Sequence, residues 1–159
     1  MSDKTTLVLR EDRKIVITRV FDAPARLVWN AYTDAALVRR WWAPRSRGVE
    51  MALCEADVRV GGKYRYVMRK GTMDLAFSGT YTQLSPHTQL SYTQIFEPMA
   101  AAGEVLVSVT FTEKDGKTTL ESHELYPSKA VRDGTIASGM EGGMRESMNQ
   151  LDAVIATLV

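Results

Sequence analysis

Apolar and polar positions change their spacing three times along this chain. Residues 14–21 (KIVITRVF) crowd β-branched side chains into one short run and read as a strand. Asp22-Ala23-Pro24 follows, with Asp22 placed to cap a helix and Pro24 near its first turn. Leu27, Val28, Ala31 and Tyr32 recur at helical spacing, which predicts an amphipathic helix over 24–33. Asp34 restarts the pattern, and Leu37, Val38, Trp41 and Trp42 predict a second short helix ending before Pro44. From about 50 to 126 the period becomes two, with strands expected at 50–58, 63–70, 74–83, 88–96, 104–113 and 118–126. Gly61-Gly62, Gly71, Ser85-Pro86, Gly103 and Asp115-Gly116 punctuate them with good turn chemistry. Short turns between successive strands imply an antiparallel meander. The final stretch, 129–158, carries Ile136, Met140, Met144, Met148, Leu151, Ile155 and Leu158 on one stripe and predicts a single long helix over roughly 130–157.

A sheet of six to seven strands and one long amphipathic helix have to bury their apolar sides against each other, so the pattern predicts an α+β two-layer architecture. There is no internal repeat and no low-complexity linker, and residues 1–159 read as one domain. Strand alternation nominates Tyr64, Tyr66, Met68, Phe77, Tyr92, Val107, Val109 and Phe111 for the sheet's inner face.

Composition narrows the function classes. The chain is 45% apolar and 25% charged, ordinary for a folded protein. Twenty Lys and Arg stand against nineteen Asp and Glu, and the basic residues are scattered, so no nucleic-acid footprint is expected. No run approaches the roughly 20 apolar residues of a membrane helix, and no export signal is visible, which makes the cytosol the default compartment. One cysteine, Cys54, forms no internal disulfide, and with two histidines it cannot complete a usual four-ligand zinc site. No cofactor motif is present.

Catalytic constellations are equally scarce, and an enzyme is the less favoured class. Gly61-Gly62 lies between strands, where it turns the chain, and does not open a helix as a phosphate cradle would. Asp57 and Arg59 flank that turn and read as a local ion pair. Trp41 and Trp42 point about 100° apart on a helix, so one can seal the core while the other overlooks a cavity. The stripe Met140, Met144, Met148 fits either ordinary core or an adaptable ligand wall. Leu120 is the only aliphatic residue in Thr118–Glu124, so its face should be buried, and Glu124 shares that face while His123 points outward. A carboxylate there needs a polar partner, unless Glu124 already reaches water at the strand end.

The run Arg19-Val20-Phe21-Asp22-Ala23-Pro24, then Val28-Trp29-Asn30-Ala31-Tyr32-Thr33-Asp34, Arg40-Trp41-Trp42-Ala43-Pro44, Asp57-Val58-Arg59-Val60-Gly61-Gly62 and Gly79-Thr80-Tyr81 resembles the START-like (SRPBCC) superfamily. Within it the chain looks most like the branch related to the C-terminal domain of the heat-shock-protein-90 ATPase activator, over about 14–158. The resemblance implies a helix-grip fold: a curved antiparallel sheet around the last helix, with a cavity between them. It implies a small hydrophobic or amphipathic ligand held by Trp29, Trp41, Tyr64, Tyr66, Met68, Phe77, Tyr92, Val109, Phe111, Glu124, Met140 and Met144. Two other functions remain open, a chaperone-associated protein-interaction module and an enzyme acting on a polyketide-like or aromatic compound. One departure stands out: where the family's last helix usually carries Gly-Trp, this chain has Gly143-Met144, which should leave a larger or more deformable cavity.

Overall fold

The computed structural model describes residues 5–159. Its strands are β1 (Thr5–Arg10), β2 (Lys14–Phe21), β3 (Val49–Ala56), β4 (Lys63–Lys70), β5 (Met73–Ser85), β6 (Gln89–Phe96), β7 (Val105–Lys114) and β8 (Lys117–Leu125). They form one eight-stranded sheet in the order β1-β2-β8-β7-β6-β5-β4-β3, every neighbouring pair antiparallel. Helices α1 (Ala25–Thr33) and α2 (Ala35–Val38) follow β2, and α3 (Lys129–Ala137) and α4 (Met140–Ala156) close the chain. This is the helix-grip α+β architecture that the alternating pattern and the resemblance predict. The Asp115-Gly116 hairpin appears as expected, with both residues at positive φ (54° and 77°) and Lys114 opposite Lys117.

Three expectations need correction. The sheet has one strand more than predicted, because Thr5–Arg10 pairs with β2 through a turn that holds Glu11 at φ 54°. The C-terminal helix is two helices, broken at Ser138-Gly139, where Gly139 takes φ 84°. Ile136 and Met140 keep helical spacing across that break, so periodicity alone runs straight through it. Asp22 does not cap α1. Pro24 occupies the cap position, and the free backbone N–H of Ala25 instead donates to the Glu113 carboxylate at 2.7 Å, from the end of β7. Asp34 does cap α2, accepting from the Ala36 N–H at 2.9 Å.

The core lies between the inner face of the sheet and helices α1 and α4. Phe21, Val28, Leu90, Val109, Leu120 and Leu151 are all at most 1% exposed. A fully buried side chain of this kind contributes about 1.5–3 kcal/mol. Gly79 makes one close approach possible: a Cβ there would lie 1.8 Å from the Thr93 carbonyl oxygen, which also accepts the Tyr64 hydroxyl at 2.7 Å. Within α4, Asn149 and Asp152 accept from Arg19 of β2 at 2.6 Å and 3.1 Å, tying the helix to the second strand of the sheet.

Candidate functional site

Beneath the first half of α4 the sheet and helix part around a partly open cavity of about 290 Å³. The helix contributes Met140, Gly143, Met144, Ser147 and Met148 as its roof. The sheet supplies Ile17 from β2, Met68 from β4, Phe77 from β5, Tyr92 and Gln94 from β6, and Leu120, Ser122 and Glu124 from β8. Tyr32 of α1 and Trp41, Trp42 and Pro44 after α2 form the remaining wall. Such a lining, mostly aromatic and thioether with few polar groups, is the usual make-up of a small-molecule site.

The wall is held by specific contacts. The Trp41 indole donates to the Ala31 carbonyl at 2.9 Å and stacks obliquely on Tyr32, with ring centres 5.0 Å apart. Trp42 sits edge-on to Tyr66 and to Phe77, at 5.2 and 4.9 Å. Its own carbonyl accepts the Ser147 hydroxyl at 2.9 Å, and Gln150 donates to the carbonyls of Trp41 and Ala43, so the Trp-Trp corner is pinned to α4. The adjacent indoles therefore both reach the cavity, where one of the two was expected to do so.

Of the residues singled out from the sequence, Trp41, Met68, Phe77, Tyr92, Glu124, Met140 and Met144 come together around this cavity. Tyr64 and Tyr66 line an adjoining void of about 20 Å³, with room for about one water. Trp29, Val109 and Phe111 lie elsewhere. Trp29 and Phe111 pack edge to face at 5.5 Å within the closed core, and Val109 is completely buried beside them, so none lines the cavity. Strand parity puts Val109 and Phe111 on the inner face, but that face is longer than the cavity and its other end is filled, there by Trp29 of α1 packed on Phe111. Tyr32, Gln94 and Ser122 also line the cavity without having been singled out from the sequence. Ser122 was within reach, since it shares Leu120's face with Glu124.

Glu124 is the one carboxyl in the wall. Its Cα stands opposite Val107 on β7 and Ile15 on β2, well inside the sheet. The Tyr126 hydroxyl donates to its Oε1 at 2.9 Å. Burial pushes its carboxyl up to about 7, and the Tyr126 hydrogen bond offsets only part of that rise. His123 points to the opposite face, where it meets Glu121. Cys54 is buried with its thiol toward the Ala35 carbonyl, and burial raises the thiol to about 11, far from a reactive thiolate. Asp57 and Arg59 pair with each other at 2.7 Å on the exposed surface. Among the described residues no helix is long and apolar enough to cross a membrane.

The fold has close counterparts among solved structures. A protein from Rhodobacter sphaeroides superposes with a TM-score of 0.87 at 25% identity, over 96% of this chain and 99% of its own. A Mycobacterium smegmatis protein gives 0.84 at 25% identity, covering 94% and 96%. An AHSA1-like protein from Aeromonas hydrophila gives 0.73 at 21% identity, covering 91% and 93%. No curated protein matches the sequence. The family model for "Activator of Hsp90 ATPase homolog 1-like protein" matches residues 22–156, nearly everything from the end of β2 to the end of α4. The chain belongs to the Activator of Hsp90 ATPase homolog 1-like family.

Proposed function

We propose that this protein binds a small hydrophobic or amphipathic molecule in the cavity between its sheet and α4. The observation that carries the reading is the 290 Å³ space itself, walled by aromatic rings and methionines at a place where the rest of the core is closed. Apolar surface around an empty space loses its packing contacts, and an apolar ligand restores them. Trp41, Trp42, Met68, Phe77, Tyr92, Met140 and Met144 supply the apolar contact, while Glu124, Gln94 and Ser122 orient the ligand's polar end. A cytosolic protein acting as one domain without a cofactor fits this reading. The test is an NMR screen of small amphipathic compounds on protein purified without detergent, with the methyl groups of Met140, Met144 and Met148 as reporters. Saturable shifts at those methyls support it, and a library that leaves them unmoved overturns it.

The family description supports a second reading, a module that docks on a chaperone. Such a role calls for a contiguous apolar surface. The exposed aliphatics on the sheet's outer face, Val8, Val20 and Leu106, stand apart, separated by Thr18, Glu121 and His123. Stimulation of a purified heat-shock-protein-90 ATPase by this chain is the direct assay for that alternative.

A further inference from the structure

The cavity's polar chemistry is one-sided. Among its lining residues Glu124 is the only acid, and there is no Lys, Arg or His from β2, the α1–α2 segment, β4, β5, β6, β8 or α4. The tyrosines that face Glu124, Tyr32 from α1, Tyr92 from β6 and Tyr126 after β8, are all held above their ordinary range by burial and by the carboxyl's charge. They therefore stay neutral and balance no charge. Tyr126 occupies Oε1, which leaves Oε2 for a ligand. The same cavity is lined by the rings of Tyr32, Trp41, Trp42, Phe77 and Tyr92. The negative faces of aromatic rings attract cations and repel anions.

From this arrangement we infer that the cavity selects amphipathic molecules that carry a protonated amine, with the ammonium paired to Glu124 and the apolar body among the rings and methionines. The inference rests on the reading of the cavity as a ligand site and names the chemical class of the ligand. Glu124 is half-buried, and a desolvated carboxyl with no cation among the lining residues is costly to ionise, a cost that an incoming ammonium reduces by supplying the missing charge. An anionic amphiphile of the same shape meets a carboxyl and π faces instead, and is rejected. The carboxyl's raised value, about 7, means that binding near neutrality also drives a proton off Glu124.

The test uses three probes of one shape, 4-phenylbutylamine, 4-phenylbutan-1-ol and 4-phenylbutanoic acid, titrated into the whole chain by calorimetry. Near pH 8 the amine should bind at least about tenfold more tightly than the alcohol, and the acid more weakly than the alcohol. Near pH 5.5, where Glu124 holds its proton, the amine's advantage should shrink towards parity. Near pH 7, buffers of different ionisation enthalpy should reveal proton release with the amine and none with the alcohol. Glu124→Gln should abolish the amine's preference over the alcohol, since the amide keeps the side chain's shape but supplies no charge. If the variant does not fold, the pH dependence and proton release of the unmutated protein decide the matter. Equal binding of amine and alcohol near pH 8, or an amine preference that survives Glu124→Gln, overturns the amine inference while leaving the cavity reading in place. Failure of all three probes at millimolar concentration overturns both.

Discussion

The two halves of α4 carry the same apolar stripe and meet opposite fates. In the second half Leu151, Val154 and Ile155 are between 0% and 4% exposed, pressed into a core closed by Phe21, Val28 and Leu120. In the first half Met140 and Met144 are only half-buried, and the space beneath them is the cavity. The difference comes from the residues across the gap. The second half belongs to a closed cluster with Phe21 and Val28, both fully buried. Opposite the first stand rings, Ser122, Gln94 and a carboxyl, which do not interlock with flexible thioethers. Amphipathic periodicity thus determines which way a helix faces, and the identity of its partners determines whether that face is filled.

Substitutions can separate the two halves. Leu151→Ala should be the most damaging change, at about 2–5 kcal/mol by chemical denaturation, because it opens a hole in closed packing. Met144→Ala, on the same stripe, should cost about 1 kcal/mol or less, because its side chain already borders empty space. Equal losses at the two positions would erase the distinction drawn between the halves.

Glu124→Gln should bring the next largest change, and one that depends on pH. The ordinary value of the carboxyl is 4.5, and in the fold it is raised to about 7. Below the lower value Glu124 is protonated in both states and costs nothing. Between the two values the folded protein keeps a proton that the unfolded chain has released, so stability falls as pH rises, and above about pH 7 the loss is complete. The amide has no charge to desolvate, so the variant should match the unmutated protein near pH 4 and exceed it by about 1–3 kcal/mol near pH 8. Denaturation curves at the two pH values check the sign, and a variant less stable near pH 8 would mean that the carboxyl is ionised at little cost.

Gly139→Ala should cost about 1–2 kcal/mol, since open space surrounds the position and only its φ of 84° resists a side chain. Met144→Trp, which places an indole where the resemblance leads one to expect it, should have a similarly small effect on stability. With space available it should stay within about 1 kcal/mol, yet bulky ligands should bind markedly less well. Strong destabilisation by this change would show that the space beneath Met144 is already filled.

Much of the fold is legible in the sequence because it depends on periodicity. The run of alternating residues, the Asp115-Gly116 turn and the inward face of Leu120, Ser122 and Glu124 all follow from a spacing of two. What escaped depends on features that carry little local signal. The turn after β1 uses Glu11 in place of glycine or asparagine, so the strand before it lacks the usual boundary mark. The cap of α1 comes from Glu113, 88 residues further along, where no local motif can announce it. At the site, parity gives a residue's face but not its position along the groove, so Val109 and Phe111 share the cavity's face yet stand beyond it, and helical spacing likewise does not say which end of the core Trp29 meets.

The order of the strands has a consequence for how the chain is made. β2 emerges from the ribosome early, yet its second neighbour is β8, synthesised about a hundred residues later. Meanwhile β3 to β7 can pair in sequence, each with the strand just completed. The β1–β2 hairpin therefore waits with one edge open, and Arg19 waits longer still for Asn149 and Asp152. Only when α4 has left the ribosome can the helix be gripped, so the cavity is the last part of the molecule to come into being.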